Sequence, residues 1–540
     1  MSRSDDRSAL ADLLAQLKDR SGLSYAALAR KTNISRSSVH RFCSGAGLPP
    51  DFGTVERIAT ACGASKADLD SLYRLWSHTA QSPAEEPLAE ATEPTPGTPE
   101  PGPSVEAPAA PRSRHGAVRW IAAAAAVALA VLALAVVGTS GGEPTGPAEP
   151  TADSAPPWTQ APAAVSPHFF GVTINSSTGA MPTFRVGAVR LWDSRTRWAN
   201  LQPRRGQFDW SILDRLVAGA QAQGLPVLFT IGGTPEWAAP TSPRSTYADG
   251  SRTGPPDDLA DWDAFIRTLA ERYQDRIQAY ELWVVANDSR FFSGDPATLA
   301  EMTARASKII KAVDRRAAVI CPSMGRLWEN EGRTWFERFA ATRAYDHCDA
   351  AGVKLHQRQA SDPPETLAEL ITLIDRTFHK AGIHPKVWNT GTSYETALAA
   401  PLDEDTAADH AVRFYLAGLY GQVNRMYFYS WGGVKLPIVL QRDGGPPTRA
   451  ALHVEELQRW LRDAAIESCG HGTGYGLPAS VWQCRFRGAD GRPFLIVWAE
   501  RGSARMPAPP GVREIRHLDG TTTAQAADLP VTTRPILVTL

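Results

Sequence analysis

Cysteine is scarce in this chain, at six residues in 540, and none falls in a Cys-x-x-Cys or similar metal-ligand spacing. That argues against a zinc site, and no metal or cofactor is expected. An excess of either charge is also missing. Lys and Arg number 56 against 57 Asp and Glu, so the net charge of −1 says nothing about partners until it is divided along the chain. Residues 82–111 have no Lys or Arg, but they hold nine Pro and six Glu. Such a stretch cannot bury enough apolar surface to offset its ordering entropy, and reads as an extended, disordered linker. Trp120–Gly138 (WIAAAAAVALAVLALAVVG) has no charge at all. At helical rise it spans roughly 28 Å, close to the ~30 Å hydrocarbon core of a bilayer. Its start at residue 120 speaks against a cleaved secretory signal. A buried Ala-rich core helix is the alternative, but the linkers on both sides offer nothing to bury it against.

The flanks of that run are asymmetric. Arg112, Arg114, His115 and Arg119 precede it, while Glu143, Glu149 and Asp153 follow it. Positive residues stay on the cytoplasmic side, so the expectation is one transmembrane helix in a lipid bilayer, with the N-terminus inside and the C-terminal domains outside. The expected divisions are a helical domain at 1–80, a Pro/Glu-rich linker at 81–118, the transmembrane helix at 119–139, a second Pro-rich linker at 140–166, a large domain at 167–464 and a small all-β module at 465–540. Cys469 and Cys484, fifteen residues apart, are spaced for a disulfide if the outer side is oxidising.

Residues 1–78 hold 11 Lys and Arg against 8 Asp and Glu, a small basic excess compatible with nucleic acid but not diagnostic of it. Residues 9–78 read as five short helices. In LSYAALARKTNISRSSVHRFCSG (23–45), Ser24 caps one helix, Asn33 sits at a turn, and Ser35 caps a second helix. Ile34, Val39 and Phe42 of that second helix would point to the core, leaving Arg36, Ser37, Ser38, His40 and Arg41 outside. This pattern resembles the Xre/Cro-type helix-turn-helix family over about seventy residues. The resemblance implies that the second helix enters the DNA major groove, with Ser24, Arg36, Ser37, Ser38, His40 and Arg41 as the contact set. Tyr25 departs from the family, which usually carries a DNA-contacting Gln there. The alternative is a helical bundle that keeps the fold and binds protein.

From 168 to 431 short apolar strands alternate with amphipathic helices. Eight strands are read, at 168–174, 188–192, 226–231, 279–284, 317–323, 352–356, 385–390 and 425–431. Eight strand–helix units over this span predict a (β/α)8 TIM barrel, in which chemistry sits at the C-terminal strand ends. Ten of the sixteen Trp fall in this span, and Trp192, Trp283, Trp388 and Trp431 lie at or near such ends. Their flat faces suit sugar rings, although large aromatics also fill barrel tops as plain packing. Residues 465–540 carry strand patterns separated by Gly- and Pro-rich turns, as expected of a small β-sandwich, and a helix is read at 448–463 before it.

The motif YELWVVANDSRFFSGDP (280–296) is similar to the fourth-strand signature of retaining glycoside hydrolases of the β-xylosidase and iduronidase type, and KVWNTGTSYE (386–395) resembles their seventh-strand signature. VRLWDS, GTPEWAAP, VKLH and YFYSWGG extend the likeness over nearly the whole barrel. The resemblance implies that two carboxyl groups ~5 Å apart should be present, one as acid/base and one as nucleophile. Here Val285 stands where the acid/base Glu is expected and Gly391 where the nucleophile is expected, so no catalytic residue is assigned. Asp288, Glu395 and Glu236 are the nearby carboxylates that could substitute. The reading is a membrane-anchored regulator or sensor, whose outer pseudoenzyme domain binds carbohydrate or a cell-wall polymer through Arg190, Trp192, Trp283, Asn287, His356, Tyr394, Tyr429 and Trp431. The alternatives are an active anchored hydrolase using displaced carboxylates and a cell-envelope scaffold.

Overall fold

The computed structural model describes residues 3–76, except 33–35, 48, 50, 51, 66, 67, 70, 73 and 74, and residues 157–540, except 393, 398, 434, 435, 525 and 526. The expected membrane span at 119–139 and most of both linkers lie outside the described residues. Among the described residues no helix is long and apolar enough to cross a membrane. The chain divides into two compact units, Met1–Ser140 and Gly141–Leu540.

The first unit contains the helices α1 (Arg3–Arg20), α2 (Tyr25–Thr32), α3 (Arg36–Cys43) and α4 (Phe52–Ala61). Where a fifth helix was expected, the described residues 68, 69, 71, 72, 75 and 76 are helical. Leu10, Leu14 and Leu17 recur at helical spacing on α1 and are buried with Leu28, Val39, Val55 and Ile58. Ser24 caps α2 as expected, its Oγ accepting from the Ala27 N–H at 3.2 Å.

The second unit is built on a closed eight-stranded parallel barrel: β2 (Phe170–Ile174), β3 (Ala188–Leu191), β4 (Val227–Thr230), β5 (Ala279–Glu281), β6 (Ala318–Met324), β7 (Ala350–Val353), β8 (Val387–Asn389) and β9 (Arg425–Trp431). All eight expected strands are present, shortened at most ends. Side chains alternate across a strand, so residues two apart share the barrel interior. Ala188, Leu228, Ala279, Ile320, Ala350, Trp388 and Tyr427 pack together as an apolar floor. One pleat higher on the same faces come Arg190, Thr230, Glu281, Thr390 and Tyr429. The floor is tight at Gly171, where an added Cβ would stand 2.5 Å from the Tyr427 ring.

The module after the barrel is larger than the sequence reading allowed. The strands β10 (Ala465–His471), β11 (Val481–Arg487), β12 (Pro493–Ala499), β14 (Glu514–His517), β15 (Thr522–Ala524) and β17 (Ile536–Thr539) form one antiparallel sheet, and β13 (Ser503–Pro507) pairs with β16 (Asp528–Thr532) beside it. A seventh strand joins the edge of the large sheet: β1 (Trp158–Ala164) pairs with β10, although it falls in the stretch expected to be linker. Pro162 hid it, because proline suits only an edge strand or a bulge. The register of β1 shifts between Thr159 and Ala163, and the Trp158 indole anchors the strand by donating to the Tyr420 carbonyl at 2.6 Å. The module is held to the barrel by a buried pair, with Arg413 Nε donating to Glu365 Oε1 at 2.9 Å and Trp498 Nε1 donating to the same oxygen at 2.6 Å. Helix Arg449–Trp460, capped by Thr448, lies where one was expected.

The cysteines divide by unit. Cys43 and Cys62 are free and buried in the first, and burial pushes the Cys43 thiol up to about 11. In the second, Cys469 is bonded to Cys484 across β10 and β11, and Cys321 to Cys348, a pairing the sequence reading missed.

Replacing Gly171 by Ala forces a methyl group into the Tyr427 ring, and overpacking of this kind costs about 1–3 kcal/mol. Urea unfolding followed by tryptophan fluorescence should show that loss; an unchanged midpoint would contradict the packing described.

Candidate functional site

The polar layer above the barrel floor is organised by Glu281, which is fully buried at the end of β5. Its carboxylate accepts from Arg190 Nε at 2.8 Å, Thr230 Oγ1 at 2.6 Å, Lys354 Nζ at 3.0 Å and Thr390 Oγ1 at 2.8 Å. These donors come from β3, β4, the end of β7 and the end of β8, so one carboxylate ties together half the barrel. Burial alone pushes Glu281 up, but the charges of Arg190 and Lys354 outweigh it and hold the carboxyl down at about 2. Lys354 gives its other hydrogens to Thr390, to the carbonyl at 2.6 Å and to Oγ1 at 2.7 Å. Burial, and then the charge of Arg190, lower Lys354 to about 7 despite its bond to Glu281. Glu281 therefore stays ionised at neutral pH, and Lys354 is the member that titrates near neutrality.

Over this layer opens a cavity of about 120 Å³. One wall is polar, with Arg190, Asp193, Lys354, Thr390 and Tyr429; the other is apolar, with Trp192, Val284, Val285 and Phe291. The two positions expected to carry catalytic carboxylates both line it. Val285 sits in the left-handed region at φ 41°, a rare conformation for a β-branched residue, with its N–H donated to Ser323 Oγ at 3.0 Å. Gly391, at φ 127°, lines the cavity, and a Cβ there would make ordinary contact with Arg190 Nη1 at 3.7 Å and with Lys354 Nζ and the Tyr429 ring at 3.9 Å. Arg190 spends only Nε on Glu281, and its Nη2 is buried without a hydrogen-bond partner.

Among the described residues lining the cavity, Asp193 is the one carboxylate. It accepts from the Tyr429 hydroxyl at 2.6 Å and lies 3.7 Å from Arg197. Burial, then the Asp193 charge, push the Tyr429 phenol well above its ordinary range. The carboxylates that could substitute are otherwise engaged. Asp288 is buried and clamped by Arg290, whose Nη2 reaches it at 2.5 Å, and Glu236 pairs with Arg252. The Glu395 side chain lies outside the described residues.

Of the eight residues expected to hold sugar, Arg190, Trp192 and Tyr429 line this cavity. Trp283 does not: it is fully buried against Trp262 and Phe292, and its Nε1 donates to the Phe291 carbonyl at 3.1 Å. Trp431 is likewise internal, donating to Gln441 Oε1 at 2.8 Å. Asn287 is a buried clamp, accepting from the Gly325 N–H at 2.8 Å and donating to the Gly332 carbonyl at 3.0 Å. His356 is buried beside the cavity, with Nδ1 2.8 Å from the Gln357 carbonyl. The Tyr394 side chain lies outside the described residues. The sequence reading missed Asp193, Tyr247 and Lys354. Lys354 left a signal, a lone ammonium between the apolar residues of the VKLH strand end.

In the first unit, Arg36, His40 and Arg41 are exposed on α3 and Ser38 is half-buried, while the Ser37 side chain lies outside the described residues. Tyr25, the departure from the family pattern, packs edge-on against His40 with ring centroids 5.1 Å apart, and Lys18 Nζ lies 4.8 Å from its ring centre.

Replacing Glu281 by Gln leaves two cations buried without a counter-charge, which costs roughly 3–5 kcal/mol in urea unfolding. The pH dependence carries two signs. Glu281 is lowered from 4.5 to about 2, so its contribution is complete above pH 4.5 and is lost as pH falls towards 2. Lys354 is lowered from 10.5 to about 7, so the unfolded chain binds the extra proton between those values and stability rises with pH there. Lys354→Met should abolish that rise, and a rise that persists would remove Lys354 as its source.

Comparison with known proteins agrees with both units. The family model described as helix-turn-helix domain matches residues 9–72, and the one described as beta-galactosidase, of glycoside hydrolase family 42, matches residues 173–257. No curated protein matches the chain. Among solved structures, a family 39 glycoside hydrolase from the gut symbiont Bacteroides cellulosilyticus WH2 is 14% identical, covering 70% of this chain and 81% of its own, with a TM-score of 0.52. A monomeric beta-xylosidase from Caulobacter crescentus CB15 is also 14% identical, covering 72% and 97%, with a TM-score of 0.48. At these identities the likeness is one of fold. The chain joins an N-terminal helix-turn-helix domain to a glycoside hydrolase-like barrel.

Proposed function

We propose that this chain is a membrane-anchored sensor, in which the helix-turn-helix domain binds DNA in the cytoplasm and the barrel binds carbohydrate outside without hydrolysing it. The observation that carries the reading is the cavity at the barrel mouth, where Val285 and Gly391 stand at the two positions a retaining glycosidase gives to its carboxylates. A valine side chain moves no proton and a glycine forms no glycosyl intermediate. Asp288 and Glu236 are engaged by arginines, and a displacement of about 1 Å already costs ~10²-fold in rate, which speaks against substitution by either. The cavity still pairs an apolar wall with convergent polar groups, the lining that sugar recognition uses.

Two observations support the anchored arrangement. The uncharged run 120–138 lies in sequence between the helix-turn-helix helices and the barrel, with basic residues before it and acidic residues after it. The cysteines agree with that orientation, since free thiols in the first unit suit a reducing cytoplasm and disulfides in the second suit an oxidising exterior. On the inner side, exposed Arg36, His40 and Arg41 on one short helix suit the major groove.

Two measurements test the proposal. The full-length chain should turn over aryl β-xylosides and β-galactosides no faster than the buffer blank, and clear turnover would replace the sensor by an enzyme. Genomic DNA fragments retained by the chain should be bound about tenfold or more weakly after Arg36→Ala with Arg41→Ala, since a lost base or phosphate contact costs ~1–3 kcal/mol. Equal retention by the double variant would move DNA binding off α3.

A further inference from the structure

Gly391 leaves more than a missing nucleophile. It leaves the buried Arg190 guanidinium at the edge of a cavity whose one described carboxylate, Asp193, is engaged by Tyr429. Arg190 is 1% exposed, gives Nε to Glu281, and has no hydrogen-bond partner for Nη2. Its Nη1 lies 3.7 Å from the point where a Cβ at 391 would stand, and Lys354 Nζ lies 3.9 Å from the same point. Buried donors without partners are costly, and a built pair of cations beside an open volume recognises an anion. We propose that the space over Gly391 is a carboxylate-binding subsite, in which a ligand's carboxylate accepts hydrogen bonds from the Arg190 Nη groups and is held by the charge of Lys354. This inference rests on the sugar-binding reading only for its location, since it concerns the same cavity.

The ligand carboxylate replaces, from outside, a group the chain does not supply. Asp193 does not fill the role, because it is engaged by the Tyr429 hydroxyl at 2.6 Å and lies 3.7 Å from Arg197. Glu281 does not either, because all four of its donors approach from within the barrel layer. The groups around Lys354 set a pH dependence. Arg190 from β3 opposes its charge, whereas Glu281 from β5 and Asp193 beyond β3 favour it, and Thr390 from β8 accepts two of its hydrogens. An arriving anion adds a second favourable charge, so binding draws a proton onto Lys354 near neutrality and weakens as pH rises.

Isothermal titration of the full-length chain with sodium acetate, sodium glucuronate and glucose, at pH 6 and pH 8, tests this. Carboxylates should bind, with affinity falling about five- to tenfold from pH 6 to pH 8, and titration in buffers of different ionisation enthalpy at pH 7 should show net proton uptake. Lys354→Met should still bind the carboxylates, several-fold more weakly, with the pH dependence and the proton uptake gone. If that variant fails to fold, the proton uptake by the unaltered chain decides the point. Acetate and glucuronate binding equally would identify the carboxylate alone as the recognised group, and glucuronate binding far more tightly would identify a sugar acid. Glucose binding without either carboxylate would overturn the subsite and keep the sugar-binding reading. Acetate binding with neither sugar would keep the subsite and remove that reading. Silence from all three would overturn the subsite, as would carboxylate binding that is the same at both pH values and in Lys354→Met.

Discussion

Among the described residues Glu281 is the one acidic group inside the barrel layer, and it accepts four hydrogen bonds from four different strands or strand ends. A carboxylate taken wholly out of water survives ionised only when its lone pairs are filled and its charge is balanced, and here Arg190 and Lys354 do both. The same bonds aim the guanidinium of Arg190 towards the mouth and hold Thr390 in place, so the backbone reaches Gly391 in a defined position. Below it the apolar floor from Ala188 to Tyr427 excludes water and keeps the layer dry. Removing the carboxylate would not merely delete a contact. It would leave two like charges facing each other at low dielectric.

That brace explains why the barrel has a well-formed mouth, lined by Val285 and Gly391 among others. Arg190, Glu281 and Thr390 are all in contact, while Val285 and Gly391 line the cavity above them. Val285 has joined Trp192, Val284 and Phe291 in an apolar wall, which its left-handed backbone turns towards the cavity. The outcome is a cleft with a charged side and a greasy side.

Several errors of the sequence reading share one cause. Trp283, Trp431 and Asn287 sit at strand ends, where a linear pattern expects ligand contacts, yet each has its polar atoms consumed internally by Phe291, Gln441, Gly325 and Gly332. Whether an indole N–H looks into a cavity or onto a neighbouring carbonyl depends on loops distant in sequence, and no local spacing encodes it. The edge strand β1 was missed for a related reason: its partner β10 lies some three hundred residues away, and Pro162 argues locally against a strand. The Cys321–Cys348 bridge joins strand β6 to the segment just before β7, two points that only the folding of the intervening helix brings together.

By itself the sequence determined the strand–helix alternation of the barrel, the helical repeat of Leu10, Leu14 and Leu17 and the cap at Ser24, because each depends on residues a few positions apart and on the periods of helix and strand. It also determined that an uncharged run of nineteen residues stands in sequence between the N-terminal helices and the barrel. Tertiary structure alone decided which side chains share the mouth. Arg190, Glu281, Lys354 and Thr390 are separated by 91, 73 and 36 residues, counted from 190 to 281, 281 to 354 and 354 to 390, and only closure of the barrel sets their charges within hydrogen-bonding distance. Charge balance in a buried layer is a property of the closed sheet, and no segment of the chain carries it alone.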